Sequence, residues 1–249
     1  MNETAKLSIL MIGNGTMGKC IKEEIEKQKD MEIAMIIDHH NINTLTDLTI
    51  PIDLVIDFSH PSYMKWLYPF LYEHHIPYVC GTTGYTKYQL ERIKELSQYF
   101  PIIKQANFSF GINAIQEMLH HLLPMLENQY DIEIVEKHHK QKKDAPSGTA
   151  KMFASIINAD QSYREIRGRN GRIENRQKEI GIHSIRGGSI AGEHSIYFFG
   201  NDEIIEIKHT ALSRKIFAHG AIQAAYFLIN KEPGLYQMKD MLGERYEYK

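Results

Sequence analysis

Cysteine is nearly absent from this sequence: Cys20 and Cys80 are the two among 249 residues, far apart and without a CxxC spacing. A disulfide framework is thereby argued against, and a reducing compartment fits. Both thiols are predicted to be buried. An excess of charge of one sign is also missing. The formal net charge is −2, so the basic surplus that tracks nucleic-acid phosphates or an anionic membrane is not there. Long apolar runs are lacking too. None approaches the roughly 20 residues of a membrane span, and Leu7 to Ile12 stops at Gly13, too short for a signal-peptide core. The reading is a cytoplasmic, unanchored protein with small-molecule partners, no nucleic acid and no membrane. No internal repeat, low-complexity tract or flexible linker interrupts the chain. What is present, 43% hydrophobic and 24% charged residues, matches a folded globular body, and the length allows one large domain or two ordinary ones.

Hydrophobic patterning separates two textures. Leu7 to Ile12 reads as a strand buried on both faces, followed by a helix over Met17 to Lys29 with Met17, Ile21 and Ile25 on one side. Further apolar runs at Glu32 to Ile37, Leu54 to Phe58, Pro77 to Cys80 and Ile102 to Ile103 predict four more strands. Helices over Tyr63 to His74 and Tyr88 to Tyr99 separate the later ones. Such alternation predicts an α/β, Rossmann-like, doubly wound parallel sheet. Beyond Ser109 the pattern changes. A helix over Asn113 to Leu126 leads to a half-exposed strand, Asp131 to Glu136, and a second helix spans Ser147 to Asn158. Ser162 to Lys178 reads as an exposed connection. Short strands from Ile180 to His209, with turn signals at Gly187-Gly188 and Gly200-Asn-Asp202, predict a mixed or antiparallel sheet. Phe217, Ala221, Ala224 and Leu228 mark a last helix.

Gly13-Asn14-Gly15-Thr16-Met17-Gly18 fits GxGxxG between a buried strand and a helix. Glycines there let the backbone approach a pyrophosphate held by helix N-terminal N–H groups. Asp38, twenty residues after Gly18, ends the second strand, where a carboxylate can accept a ribose diol. A plain glycine turn and an ordinary strand-end acid are the alternatives. Gly81-Thr82-Thr83-Gly84 also ends a strand, and its small residues would admit a nicotinamide or ribose; a simple tight turn is the competing reading. After the fifth strand, Asn107 could hydrogen-bond a cofactor ring and Phe108 could pack on it, unless Phe108 is core.

The second signal is Glu136-Lys-His138-His139-Lys140-Gln-Lys142-Lys143-Asp144-Ala-Pro146-Ser147-Gly148-Thr149. His138 and His139 are read as following a strand; an imidazole can donate a proton, and Lys142 can stabilise negative charge or act as a second donor. Lysines at 140, 142 and 143 make the pocket cationic and suited to an anion. Ser147-Gly148-Thr149 opens a helix whose free N–H groups and hydroxyls would bind a carboxylate. The bland alternative is a Ser-Gly-Thr cap after a solvated basic loop. Two neighbouring histidines lack a third ligand at a familiar spacing, so no metal centre is expected.

Taken together, these residues resemble the dihydrodipicolinate reductase family over nearly the whole chain. His138 to Thr149 resembles the family's HH-x-x-K-x-DAPSGTA signature, with supporting matches at Gly13 to Gly18, Asp57-Phe-Ser, Gly81 to Gly84, Asn107-Phe-Ser, Gly192-Glu-His194 and Ser213-Arg214. The resemblance implies a dinucleotide-binding domain of residues 1–109 and 214–249, and an α+β substrate-binding and oligomerisation domain of 110–213. By the same resemblance, Gly13, Asn14, Gly15, Thr16, Met17, Gly18, Asp38, Gly81, Thr82, Thr83, Gln105, Ala106, Asn107 and Phe108 line NADH or NADPH. His138 is implied as general acid and Lys142 as catalytic cation, while His139, Ser147, Gly148 and Thr149 hold a dicarboxylate substrate. The implied assembly is a homotetramer. The implied reaction is reduction of a cyclic, dicarboxylated imine with loss of water, the nicotinamide giving hydride and His138 a proton. One departure concerns the cofactor: many relatives follow the strand-end acid with Arg, whereas Asp38 is followed by His39-His40, and the glycine loop is one residue shorter. Both differences favour acceptance of NADH, because a carboxylate repels a 2′-phosphate. The alternatives are a catalytically inactive dinucleotide-binding regulator and a reductase for another carboxylated imine.

Overall fold

The computed structural model describes residues 6–126, 129–172 and 175–244. The terminal pieces of the expected nucleotide domain, 1–5 and 245–249, lie outside them, as do Ile173 and Glu174 of the expected connection. Contacts divide the chain into two units, Met1–Phe110 with Arg214–Lys249 and Gly111–Ser213. The first contains β1 (Leu7–Ile12), α1 (Thr16–Ile25), β2 (Met31–Ile37), β3 (Leu54–Asp57), α2 (Met64–His74), β4 (Tyr78–Cys80), α3 (Lys87–Leu96) and β5 (Pro101–Lys104). Helix α4 (Phe110–Leu126) leads into the second unit, with β6 (Asp131–His138), α5 (Gly148–Ile157), β7 (Arg164–Arg167), β8 (Glu179–Arg186), β9 (Gly192–Phe199) and β10 (Ile204–Ala211). The chain returns to the first unit through α6 (Lys215–Leu228), β11 (Gly234–Tyr236) and α7 (Met238–Glu244).

The apolar run at Leu7 becomes a central strand because both of its faces find a core. Ile9 and Met11 join α1, α6 and α7 residues on one side, and Leu10 and Ile12 join α2 and α3 residues on the other. The sheet is parallel throughout, in the order β11-β5-β4-β3-β1-β2. Such a sheet leaves its carboxyl strand ends as the place where loops can present ligands. Of the two cysteines, Cys80 is buried but Cys20 is only half-buried, on the side of α1. Helix α1 stops at Ile25, short of the predicted Lys29, and β11 and α7 were not anticipated, being three and seven residues long.

The second unit has a mixed sheet in the order β10-β9-β6-β8-β7, parallel across β6, β8 and β7 and antiparallel across β6, β9 and β10. The expected exposed connection contains β7, an edge strand whose sequence Arg-Glu-Ile-Arg hides its pairing. Ile132 and Ile134 of β6 share one face with Ile180, Ile182, Ile196 and Phe198, packed with Phe153 and Ala154 of α5 and Leu119 of α4. On β6 this buried row continues past the isoleucines into Glu136 and His138. The opposite face is charged: Glu133 meets Arg169, Arg176 and His183, and Glu193 pairs with Lys137 and Lys208.

Two buried groups give stability predictions. Asp57, 1% exposed, accepts from Tyr78 Oη at 2.7 Å, Thr82 Oγ1 at 2.9 Å and both the N–H and Oγ of Ser59. Burial raises its pKa, and these donors oppose the rise. Asp57→Ala strands several buried donors and is expected to cost about 3 kcal/mol, read as a lower urea midpoint. An unchanged midpoint would show that the network is not structural. His194 on β9 is buried, and desolvation, aided by His138, drives its pKa from 6.5 down to about 3. The unfolded chain takes up that proton below pH 6.5 and the folded one does not, so stability is lost as pH falls through this window. His194→Phe should remove up to about 1.4 kcal/mol per pH unit from the acid slope, measured by urea unfolding between pH 6.5 and 4.5.

Candidate functional site

The carboxyl ends of five neighbouring parallel strands bring the predicted cofactor residues of the first unit together. Gly13 follows β1, Asp38 follows β2, Gly81 follows β4 and Gln105 follows β5, with Asp57 closing β3 between them. Gly13 has φ +103°, and a side chain there would collide with the Phe58 carbonyl; one at Gly18 would collide with the Gly13 carbonyl. Close packing thus demands the first and third glycines. Gly15 has a different role: it is the N-cap of α1, has no side-chain cap and has open space where a Cβ would stand. With no acidic residue in the first turn, the N-terminal amides of α1 suit a phosphate, and Asn14, Gly15 and Thr16 are exposed beside them. Met17 is half-buried against the core.

Asp38 fits the ribose side. The His40 backbone N–H donates to its carboxylate at 2.9 Å, and this bond, with help from Asn14 and the two histidines against a small burial effect, lowers its pKa. The rings of His39 and His40 lie 3.7 Å apart beside it. An amide cradle at a helix start and an acid at the end of the second strand are the two features that dinucleotide sites of this sheet type use.

Two expectations for this edge change. Gly81 lacks a side chain because the Phe58 ring occupies the place of its Cβ, and the Thr82 hydroxyl is turned inward, accepting from the Ser59 N–H at 2.7 Å and donating to Asp57. Only Thr83 of that trio is exposed. Phe108 is core, 1% exposed and 5.3 Å from the Phe58 ring, so its backbone alone is left to a ligand. Asn107 Oδ1 accepts from the Ser109 N–H at 2.8 Å, shaping the turn after β5. Gln105 is half-buried and Ala106 exposed on the same turn.

In the second unit the motif residues are organised by a buried carboxylate that sequence reading gave no role. Strand β6 runs through His138 instead of stopping at Glu136, so the two side chains, two residues apart, share the buried face. Glu136 is 0% exposed. Its Oε2 is 2.5 Å from His138 Nδ1 and takes Arg186 Nη1 at 2.8 Å. Its Oε1 takes Arg186 Nη2 at 2.7 Å and the Ser147 N–H at 3.1 Å. Register explains the assembly: His138 is paired with Arg186 across β8, and Glu136 with His194 across β9. Burial opposes ionisation of Glu136, yet hydrogen bonds from His138, Arg186 and Ser184 prevail and hold its carboxyl well below the usual range.

The predicted residues then divide by position. His138 is 8% exposed, and with Nδ1 on Glu136 its Nε2 faces Gly192, where a Cβ would come within 3.1 Å. Lys142 is half-buried and pairs with Asp144 at 2.9 Å, which, against the opposing effect of burial, lowers the Asp144 pKa. Ser147 is the N-cap of α5, its Oγ accepting from the Ala150 N–H at 3.2 Å. Gly148 is exposed and Thr149 half-exposed at the same helix start, and His139 is half-buried at the turn after β6. Bonds from Gly187 N–H to the His138 carbonyl and from Lys140 N–H to the Gly188 carbonyl, 3.0 and 3.2 Å, anchor that turn to the end of β8. Glu136 and His194 stand in the sequence motifs without an assigned role, and Arg186 is in none of them. A signal for Glu136 existed, since a carboxylate two residues before a histidine on a strand shares its face; Arg186 is fifty positions away and had none.

The family described as "Dihydrodipicolinate reductase, N-terminus" matches residues 7–108, and "Dihydrodipicolinate reductase, C-terminus" matches 111–242. The 4-hydroxy-tetrahydrodipicolinate reductase of Brachyspira hyodysenteriae is 45% identical over 238 residues, 95% of this chain and 100% of its own. That of Clostridium tetani is 43% identical over 245 residues, covering 94% of this chain and 96% of its own. Among solved structures, "Dipicolinate bound Dihydrodipicolinate reductase from Paenisporosarcina sp. TG-14" superposes with a TM-score of 0.73 at 23% identity, over 93% of this chain and 97% of that one, a likeness of fold. The chain belongs to the dihydrodipicolinate reductase family, and its activity is the NAD(P)H-dependent reduction of 4-hydroxy-tetrahydrodipicolinate in lysine and diaminopimelate biosynthesis.

Proposed function

We propose that His138 is the general acid of this reduction, that Lys142 is its catalytic cation, and that the α5 N-terminus receives a carboxylate of the substrate. The observation that carries the reading is the 2.5 Å contact between Glu136 and His138 Nδ1. A carboxylate on one ring nitrogen fixes the tautomer and orientation of the other and stabilises the protonated ring. His138 Nε2 is then the nitrogen that holds a proton for the substrate, and Gly192 leaves it room. The Lys142 ammonium, kept near the turn by Asp144, supplies positive charge where negative charge develops. Gly148 and Thr149 would offer backbone N–H groups, and Ser147 and Thr149 hydroxyls, to a carboxylate, with His139 beside them, while the Ser147 N–H is held by Glu136. The bound dipicolinate named for the Paenisporosarcina relative is a dicarboxylate of the kind such a cradle suits.

The residues at the strand ends of the first unit, Gly13 to Gly18, Asp38, Thr83 and Gln105 to Asn107, would hold the nicotinamide dinucleotide. When bound, that cofactor supplies the hydride. Asp38 followed by His39-His40 supports acceptance of NADH, since an ionised carboxylate accepts a ribose diol and repels a 2′-phosphate. The cytoplasm as its location and a homotetramer as its assembly are part of this reading, the second open to light scattering on the purified protein.

Two experiments test it. His138→Gln is expected to lower kcat by about 100-fold or more, the worth of a positioned general acid, while NADH affinity, measured by fluorescence titration, stays unchanged. Near-normal turnover would remove His138 from the role. With substrate formed freshly from pyruvate and aspartate semialdehyde, kcat/KM is expected to be severalfold higher with NADH than with NADPH, and Asp38→Ala should narrow the difference. A large preference for NADPH in the unaltered protein would defeat the assignment of Asp38.

A further inference from the structure

Arg186 is the last residue of β8, paired in register with His138, and its guanidinium is almost fully committed. Nη1 donates to Glu136 Oε2 and to the Ile185 carbonyl, each at 2.8 Å. Nη2 donates to Glu136 Oε1 at 2.7 Å and to the Asp144 carbonyl at 2.6 Å. A guanidinium carries five N–H donors in a planar fork. The four on the terminal nitrogens are all used, and Nε is buried without a hydrogen-bond partner among the described residues.

Balancing the charge of Glu136 takes two of those donors. The bond to Asp144 does something else, because it leaves the sheet for the turn between β6 and α5. Hydrogen bonds tie that turn down sparsely. Over residues 140–146, among the described residues, they are Lys140 N–H to the Gly188 carbonyl at 3.2 Å, Lys142 N–H to the His139 carbonyl at 3.1 Å, the Lys142 side chain on Asp144 at 2.9 Å, and the bond from Arg186. The second and third lie within the turn itself. Beyond Lys140 the bond from Arg186 is therefore the one that fastens it to the sheet, and it does so at the residue whose carboxylate holds Lys142.

We propose that Arg186 is a positioning residue for the reduction: by spanning the Glu136 carboxylate and the Asp144 carbonyl, one guanidinium fixes the turn that carries Lys142 against the strand that carries His138. The proposal rests on the reading of those two residues as catalytic cation and general acid. It assigns Arg186 no contact with substrate. A lysine at this position would keep a positive charge opposite Glu136, but its donors radiate from one nitrogen and do not reproduce the fork that meets both oxygens of Glu136 and the carbonyl together. Charge and bridging can thus be separated by substitution.

The test uses the full chain with NADH and freshly formed substrate. Arg186→Lys is expected to lower kcat about tenfold and Arg186→Ala about 100-fold, the scale of a small misplacement of reacting groups, while NADH affinity, read by fluorescence titration, stays unchanged. In a Lys142→Ala background Arg186→Lys should cost less than about threefold, because the group it positions is gone. Methylguanidinium added to Arg186→Ala should restore turnover about tenfold, and methylammonium at the same concentration should not. Wild-type turnover in Arg186→Lys, an undiminished tenfold loss in the Lys142→Ala background, or rescue by both cations or by neither would overturn the proposal, with circular dichroism and NADH affinity showing the variants folded. Should Arg186→Ala fail to fold, Arg186→Lys and its cycle with Lys142→Ala decide. If Lys142→Ala turns over normally, the reading of Lys142 fails and the inference with it. Loss in Lys142→Ala without loss in Arg186→Lys defeats this inference alone.

Discussion

The arrangement of the motif residues in the second unit depends on one buried carboxylate. Removing Glu136 from water costs several kcal/mol, and a charge so placed persists only where its oxygens are fully engaged. Here they are engaged by a bidentate Arg186, by His138 and by the Ser147 N–H. Each partner arrives on a different piece of chain: β8, β6 itself and the start of α5. Satisfying the charge therefore fixes, in one arrangement, the nitrogen of His138 that faces Gly192 and the origin of the helix that begins at Gly148. Replacing the group with an apolar residue would leave Arg186 buried in part and unpaired, so the carboxylate cannot be exchanged alone.

A comparable logic operates in the first unit with Asp57. Its carboxylate closes β3 and gathers Ser59, Tyr78 and Thr82 at the end of the parallel sheet. The loop after β4 is thereby held from inside, and Thr83 is its exposed residue. The two carboxylates differ in their partners. Glu136 faces a guanidinium and an imidazole and has a lowered pKa, whereas Asp57 faces only neutral donors and has a raised one. The first suits charge and proton chemistry; the second suits a structural lock.

Much of the fold could be read from periodicity. Leu7 to Ile12 announced a doubly buried strand, and the Gly13 loop announced its turn, because glycine was demanded there by contacts with immediate neighbours in the fold. The strand end at His138 was misjudged for a physical reason: Glu136 and His138 are polar, so a run that continues the buried face appeared to leave it. Polar residues can continue an apolar row only if distant partners satisfy them, and Arg186 and the Ser147 N–H are such partners. Phe108 and Gly81 show the converse, small or aromatic residues near a ligand edge whose sizes are set by the core.

By itself the sequence determined the two textures of the chain, the residues that carry charge and protons, and the spacing of the Gly13 to Gly18 and His138 to Thr149 motifs, because these follow from local geometry and side-chain chemistry. Tertiary structure decided which of those residues stay exposed at the strand ends and which face the core, and it brought Arg186 and His194 beside them through strand register. The reason is that a buried polar group is defined by its partners, and those of Glu136 come from segments that only sheet pairing brings together.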